Sequence, residues 1–167
     1  MRKGKAGYVY KLPKDTAFNL YGVGYEGKND KNTNYQGSFM PEELQNVMKG
    51  SFGLVWDGDS ADTCDGISGG YLRINNPHKT SLYLACGMPV LVWKDAAISS
   101  FVESHKCGIS INSLNDINKA LANVTNEEYK VLCENAEEIS KKLIRGDYTK
   151  TALSKALAIV EQTKKPV

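Results

Sequence analysis

The 167-residue chain is 41% hydrophobic and 24% charged, which suits one folded domain and excludes wholesale disorder. Its 21 Lys+Arg against 19 Asp+Glu leave a formal charge of +2, too balanced for the concentrated basic face of a nucleic-acid binder. The longest apolar run, Leu84–Val92, contains Pro89 and falls far short of the roughly 20 residues of a membrane span.

In chain order, Ala17–Tyr21 alternates Phe18 and Leu20 with polar neighbours and stops at Gly22 and Gly24, which predicts a strand and its turn. Lys28–Asn34 is rich in Asn and Asp and predicts a surface loop. Pro41-Glu42-Glu43-Leu44 opens a short helix, since proline suits the first turn and the acids favour its positive end. Phe52–Trp56 is an apolar run, as in a strand buried on both faces. Asp57–Arg73 holds four Asp and four Gly without a period, and predicts one long loop.

A helix is predicted from Pro77, capped by Asn76 and closed at Gly87, with no polar face along Leu82–Cys86. Pro89–Trp93 follows as a strand, Ala97–His105 as a helix, and Ile109–Ile111 as the last strand. Ser113 and Asp116 frame a start for a helix carrying Leu114, Ile117 and Leu121. Thr125 and Glu128 form a capping-box pattern before a long helix that Gly146 ends, and Lys150–Gln162 is a final amphipathic helix. Alternation of strands and helices with short links predicts parallel strands joined by right-handed crossovers. The expected fold is α/β: an open parallel sheet with helices on both faces, plus extra C-terminal helices. Ligands of such sheets lie outside the carboxyl ends of the strands. That rule singles out Gly37–Phe39, Asp57–Asn76 and Lys94–Ala97.

The start Asn75-Asn76-Pro77-His78-Lys79 is the most informative spot. Unpaired amides and a partial positive charge at a helix N-terminus favour a phosphate. Lys79 in the first turn opposes the helix dipole, which an anion served by both lysine and amides would offset. The plain alternative is a solvated Lys79 and an Asn76 that only caps. Asp57-Gly58-Asp59 resembles a short acidic metal motif, although acids beside glycine equally form turns. Asp57 is the better placed, at the end of a buried strand.

His78 and His105 lack a nearby nucleophile signature, and no G-x-S-x-G, P-loop or G-x-G-x-x-G motif is present. Cys64, Cys86, Cys107 and Cys133 contain no C-x-x-C pair, which argues against zinc or a disulfide framework and for a reducing cytosol. Arg2, Lys3 and Lys5 imitate the start of a signal peptide, but Pro13, Lys14 and Asp15 arrive too early for its apolar region.

Taken together, Gly37–Leu44, Gly53–Gly58 and Asn75–Val90, with its "LACGMPVLVW" stretch, resemble the C-terminal half of GT-B glycosyltransferases. The similarity is nearest to bacterial β-1,6-galactofuranosyltransferases and the adhesin or polysaccharide glucosyltransferases, and it covers essentially the whole chain. The resemblance implies one Rossmann-like domain over residues 1–167 that binds a nucleotide-sugar donor, commonly UDP-linked, and that lacks the separate N-terminal acceptor domain. It places Ser38 and Phe39 against the nucleobase. Asn75, Asn76 and Lys79 would face the ribose and pyrophosphate, and Asp57 the donor sugar. Lys3, or else Lys5, matches a basic residue after the family's first donor-domain strand.

Two glutamates carried eight residues apart by many retaining relatives are replaced here near Ile74 and Leu82. No catalytic base is assigned, no metal or other cofactor is required, and the acceptor would be a glycan, a lipid-linked sugar or a protein. A homo-oligomer stays open, and the implied location is cytoplasmic, at most peripheral to the inner face of a membrane. The competing reading is a non-catalytic nucleotide- or sugar-binding accessory or oligomerisation module.

Overall fold

The computed structural model describes residues 5–163, so Lys3 lies outside the described residues. Among the described residues, five strands run in chain order: β1 (Phe18–Tyr21), β2 (Thr33–Gly37), β3 (Gly53–Val55), β4 (Val90–Trp93) and β5 (Gly108–Ile111). All pairing is parallel, in two sheets: β1 with β2, and β3-β4-β5 in sequential order. The helices flanking them are α1 (Pro41–Val47), α2 (Gly66–Tyr71), α3 (His78–Ala85), α4 (Ser99–Ser104), α5 (Ile117–Ala122), α6 (Asn126–Ile144) and α7 (Asp147–Thr163). This is the expected Rossmann-like α/β arrangement, with the strands divided between two sheets.

Strand β4 is the centre of the larger sheet, and Val90, Leu91, Val92 and Trp93 are all buried. That matches its unbroken apolar sequence, since a parallel strand is covered on both faces. Around it pack Val55, Trp56, Leu84, Val102, Ile111, Leu114 and Ile117. Gly53 starts β3 where a Cβ would run into the Tyr83 ring, so only glycine lets α3 lie this close. Cys86 and Gly87 close α3, Gly87 with φ +69°, the left-handed cap expected there.

Several elements differ from the sequence expectation. Lys28–Asn34 is a loop only in part, because β2 begins at Thr33. The Asp30 carboxylate accepts from Asn32 N at 2.8 Å and Thr33 N at 2.6 Å, turning the chain into that strand. The expected long loop contains α2, six residues with three glycines. Gly69 makes α2 fit, since a Cβ there would meet the Cys64 backbone.

Pro77, not Asn76, is the N-cap of α3, and no side chain caps that end. Helix α6 begins as expected: Thr125 Oγ1 accepts from Glu128 N at 3.1 Å, and Glu128 Oε2 accepts from Thr125 N at 2.9 Å. Its Ala136 and Ile139 are buried, and Ser140 Oγ donates to Ala85 O at 2.6 Å, tying α6 to the end of α3. Helix α7 begins at Asp147, ahead of the expected Lys150, and Leu153, Leu157 and Val160 on its apolar side are exposed.

Candidate functional site

The site forms where β3 ends and α3 begins. Asp57 follows β3 and is buried, while Lys79 lies in the first turn of α3. Lys79 Nζ lies 2.8 Å from Asp57 Oδ1 and donates to Trp56 O at 2.6 Å. The Asp57 side chain is 10% exposed and that of Lys79 31%, so the pair is shielded on the acid's side and open on the lysine's. The turn at Gly58 permits this placement, because its φ of +114° is strained for any other residue.

Asp65 holds the loop that follows. Its Oδ1 accepts from Asp59 N at 2.6 Å and Ser60 N at 3.1 Å. Asp59 Oδ1 in turn accepts from Gly7 N at 3.0 Å, and Asp62 Oδ1 accepts from Asn115 Nδ2 at 2.8 Å. The acidic run therefore acts mostly as loop scaffolding, in line with the turn reading of Asp57-Gly58-Asp59.

A cavity of about 190 Å³ opens beside the Asp57–Lys79 pair, lined also by Lys5, Ser68, Tyr71, Asn75 and His78. Thr80 N already donates to Pro77 O at 3.0 Å, whereas the first two amides of α3, at His78 and Lys79, have no acceptor within the helix. Together with Lys5 and Lys79 they make this cavity suited to an anion. Tyr8 is buried, its phenol pushed far up by burial and by the Asp57 charge. Burial pushes the Cys64 thiol up to about 12, which leaves it inert rather than nucleophilic.

The structure thus brings together Asp57, Lys79 and Asn75 of the residues singled out by sequence. Asn76 is exposed and does not line the cavity. Ser38 is exposed, and Phe39 packs against Tyr21 with ring centroids 6.2 Å apart. Neither lines the cavity beside Lys79. Tyr21 holds its end of β1, its hydroxyl accepting from Lys49 N at 3.0 Å and donating to Val47 O at 3.2 Å. Lys5, not Lys3, is the described basic residue of the N-terminal segment, and it lines the cavity. Ser68 and Tyr71 were missed because the sequence of α2 has no helical period. Their signal was the clustering of glycines, of which Gly58 and Gly69 mark close backbone approach.

Residues 2–156 match the family described as Glucosyltransferase 3-like, C-terminal domain. The chain is 39% identical over 160 residues to Beta-1,6-galactofuranosyltransferase WbbI of Escherichia coli (strain K12), covering 94% of this chain and 47% of that protein. It is 29% identical over 145 residues to Glucosyltransferase 3 of Streptococcus gordonii, covering 85% and 42%. A protein of the same name from Streptococcus parasanguinis is 25% identical over 122 residues, covering 72% and 35%. The chain therefore spans less than half the length of these relatives.

Proposed function

The chain belongs to the Glucosyltransferase 3-like, C-terminal domain family, and on that premise we propose that it is the donor-binding half of a glycosyltransferase, moving a hexosyl unit from a UDP sugar to a hydroxyl acceptor. The observation that carries this reading is the Lys79–Asp57 pair, 2.8 Å apart at the mouth of an anion-suited cavity. An acceptor hydroxyl gives up its proton to a base on the acceptor side of the cleft and attacks the anomeric carbon, and the bond from that carbon to the diphosphate oxygen breaks. The electron pair stays with the diphosphate, whose growing charge Lys79, Lys5 and the first amides of α3 stabilise. Such stabilisation needs no obligatory metal.

Asp57 then faces the donor sugar and can accept hydrogen bonds from its hydroxyls, while Asn75 reaches the ribose. In this reading Ser38 and Phe39 meet the base. The acceptor belongs to surface glycan or glycoprotein synthesis in the cytoplasm, and the acceptor side of the cleft comes from the additional polypeptide that the relatives carry.

Titration calorimetry with UDP, GDP and ADP, with and without EDTA, tests the reading. UDP is expected to bind best and equally well in EDTA. Equal binding of all three nucleotides, or no binding at millimolar UDP, overturns it.

A further inference from the structure

Three tyrosine rings from three separate segments stack at the carboxyl end of β1. Tyr10 lies in the 3-10 turn Gly7–Lys11, Tyr25 in the loop after β1, and Tyr35 in β2. The Tyr10 and Tyr25 rings are nearly parallel, 13° apart with centroids at 5.4 Å, and Tyr35 tilts onto Tyr25 at 5.2 Å. Tyr25 and Tyr35 rest on the core, whereas Tyr10 is 50% exposed. None of the three rings lines the anion cavity.

Hydrogen bonds fix the stack at several points. Tyr35 Oη donates at 2.7 Å to the carbonyl of Gly22, the residue that follows β1, and Tyr10 Oη accepts from Glu26 N at 3.2 Å. Asn29 Oδ1 accepts from Tyr35 N at 2.8 Å, and a Cβ on Gly27 would run into the Tyr25 ring, so the loop closes tightly on it. Rings held this way lose little freedom when a ligand arrives, which is why tyrosine serves recognition surfaces. Core packing does not account for Tyr10: burial stabilises through area removed from water, and half of this residue stays in it.

We propose that Tyr10, backed by Tyr25, is a platform for a sugar ring of a neutral glycan. A pyranose presents a face of C–H bonds and an edge of hydroxyls. The face fits a flat, half-exposed aromatic ring. The edge meets polar groups beside it: the exposed Glu26, whose backbone N–H already touches the Tyr10 hydroxyl, and the Tyr25 hydroxyl, which has no hydrogen bond among the described residues. A nucleobase also stacks, but its phosphates call for the cations and amides of α3, in a cavity that these rings do not border. Ligands of α/β sheets gather at the carboxyl ends of strands, and β1 ends here. A free glycoside needs no nucleotide to bind at Tyr10, so failure of this proposal leaves the nucleotide reading standing, and the converse holds.

The probe is methyl β-D-glucopyranoside, whose ring hydroxyls are all equatorial and leave both faces to C–H bonds. It is titrated into the full chain while NMR follows the Tyr10 and Tyr25 ring signals and the Glu26 amide. Saturable shifts at all three are expected, with intermolecular NOEs from the Tyr10 ring to the axial protons of one sugar face. D-glucitol, which carries hydroxyls without a ring face, is expected to give none. Tyr10→Leu keeps apolar bulk without an aromatic face and is expected to weaken binding about fivefold or more, whereas Tyr10→Phe retains it within about twofold. No saturable shift at tens of millimolar glycoside overturns the proposal, as do NOEs that miss Tyr10 in the unaltered chain. Undiminished binding by Tyr10→Leu overturns it too, and so does uridine that shifts the same signals as strongly.

Discussion

Lys79→Ala separates two effects that the sequence merges. Seen as a lone charge at a helix start, its removal relieves the dipole and leaves stability unchanged or slightly higher. In the structure the same lysine pairs with the buried Asp57 and donates to Trp56 O. Its loss strands a carboxylate that is 10% exposed. A hydrogen bond to a charged group contributes about 1.5–3 kcal/mol, and the exposure of Lys79 discounts the sum of two such bonds to about 2 kcal/mol.

For a chain of this size that lowers the melting temperature by about 4–8 °C. Urea denaturation of Lys79→Ala, Asp57→Asn and the double variant forms a thermodynamic cycle, with an expected coupling of about 1 kcal/mol or more. Calorimetry adds a ligand arm: Lys79→Ala is expected to weaken UDP by about tenfold or more, as lost charge-assisted bonds to phosphate require. Asp57→Asn is expected to tighten UDP, because it frees Lys79 and removes a repelling charge. An unchanged melting temperature in Lys79→Ala, with zero coupling, refutes the structural pairing. Weaker UDP binding in Asp57→Asn refutes the competition between carboxylate and phosphate.

Alkaline pH is expected to unfold the protein through its buried acids. Burial pushes Cys64 from 9.0 up to about 12 and Tyr83 from 10.0 up to about 12, so the fold holds the protons that the unfolded chain releases. Their contribution is fully present below pH 9 and is lost as pH rises toward 12, a decline that urea midpoints between pH 8 and 11 check. Thr80 is 1% exposed and its hydroxyl has no partner among the described residues. Thr80→Val is therefore expected to raise stability by about 1 kcal/mol by thermal melting, and a lower melting temperature contradicts the unpaired hydroxyl.

What the sequence makes legible is whatever local pattern controls. The apolar run that became β4 is buried on both faces, and the one that became β3 is buried except at the half-buried Leu54. The Thr125–Glu128 capping box is local chemistry and forms as read. Strand β2 was hidden because Thr-Asn-Tyr-Gln-Gly is polar, and its strand state depends on pairing with β1. Helix α2 was hidden because glycine opposes helix formation, and only its packing on Cys64 offsets that. Asn76 has good capping chemistry, but Pro77 takes the cap position with φ −71° and ψ 140°. The anion-suited end of α3 was legible; its partner was not. Asp57 and Lys79 stand 22 residues apart, and only the parallel strand–helix crossover brings them together.

The position of Trp56 gives the site its own optical reporter. Its ring is fully buried, its indole N–H donates to Ser60 O at 3.0 Å, and its carbonyl accepts from Lys79. The charge that an incoming anion would capture thus sits on the backbone of a dry fluorophore. Drawing Lys79 away changes the field across that indole and shifts its emission without any attached dye. Trp93, the only other tryptophan, is held by the Arg73 guanidinium 4.5 Å from its ring centroid, at the end of a different strand. Replacing it, as in Trp93→Phe, leaves the buried Trp56 indole as the single emitter that reads the anion cavity.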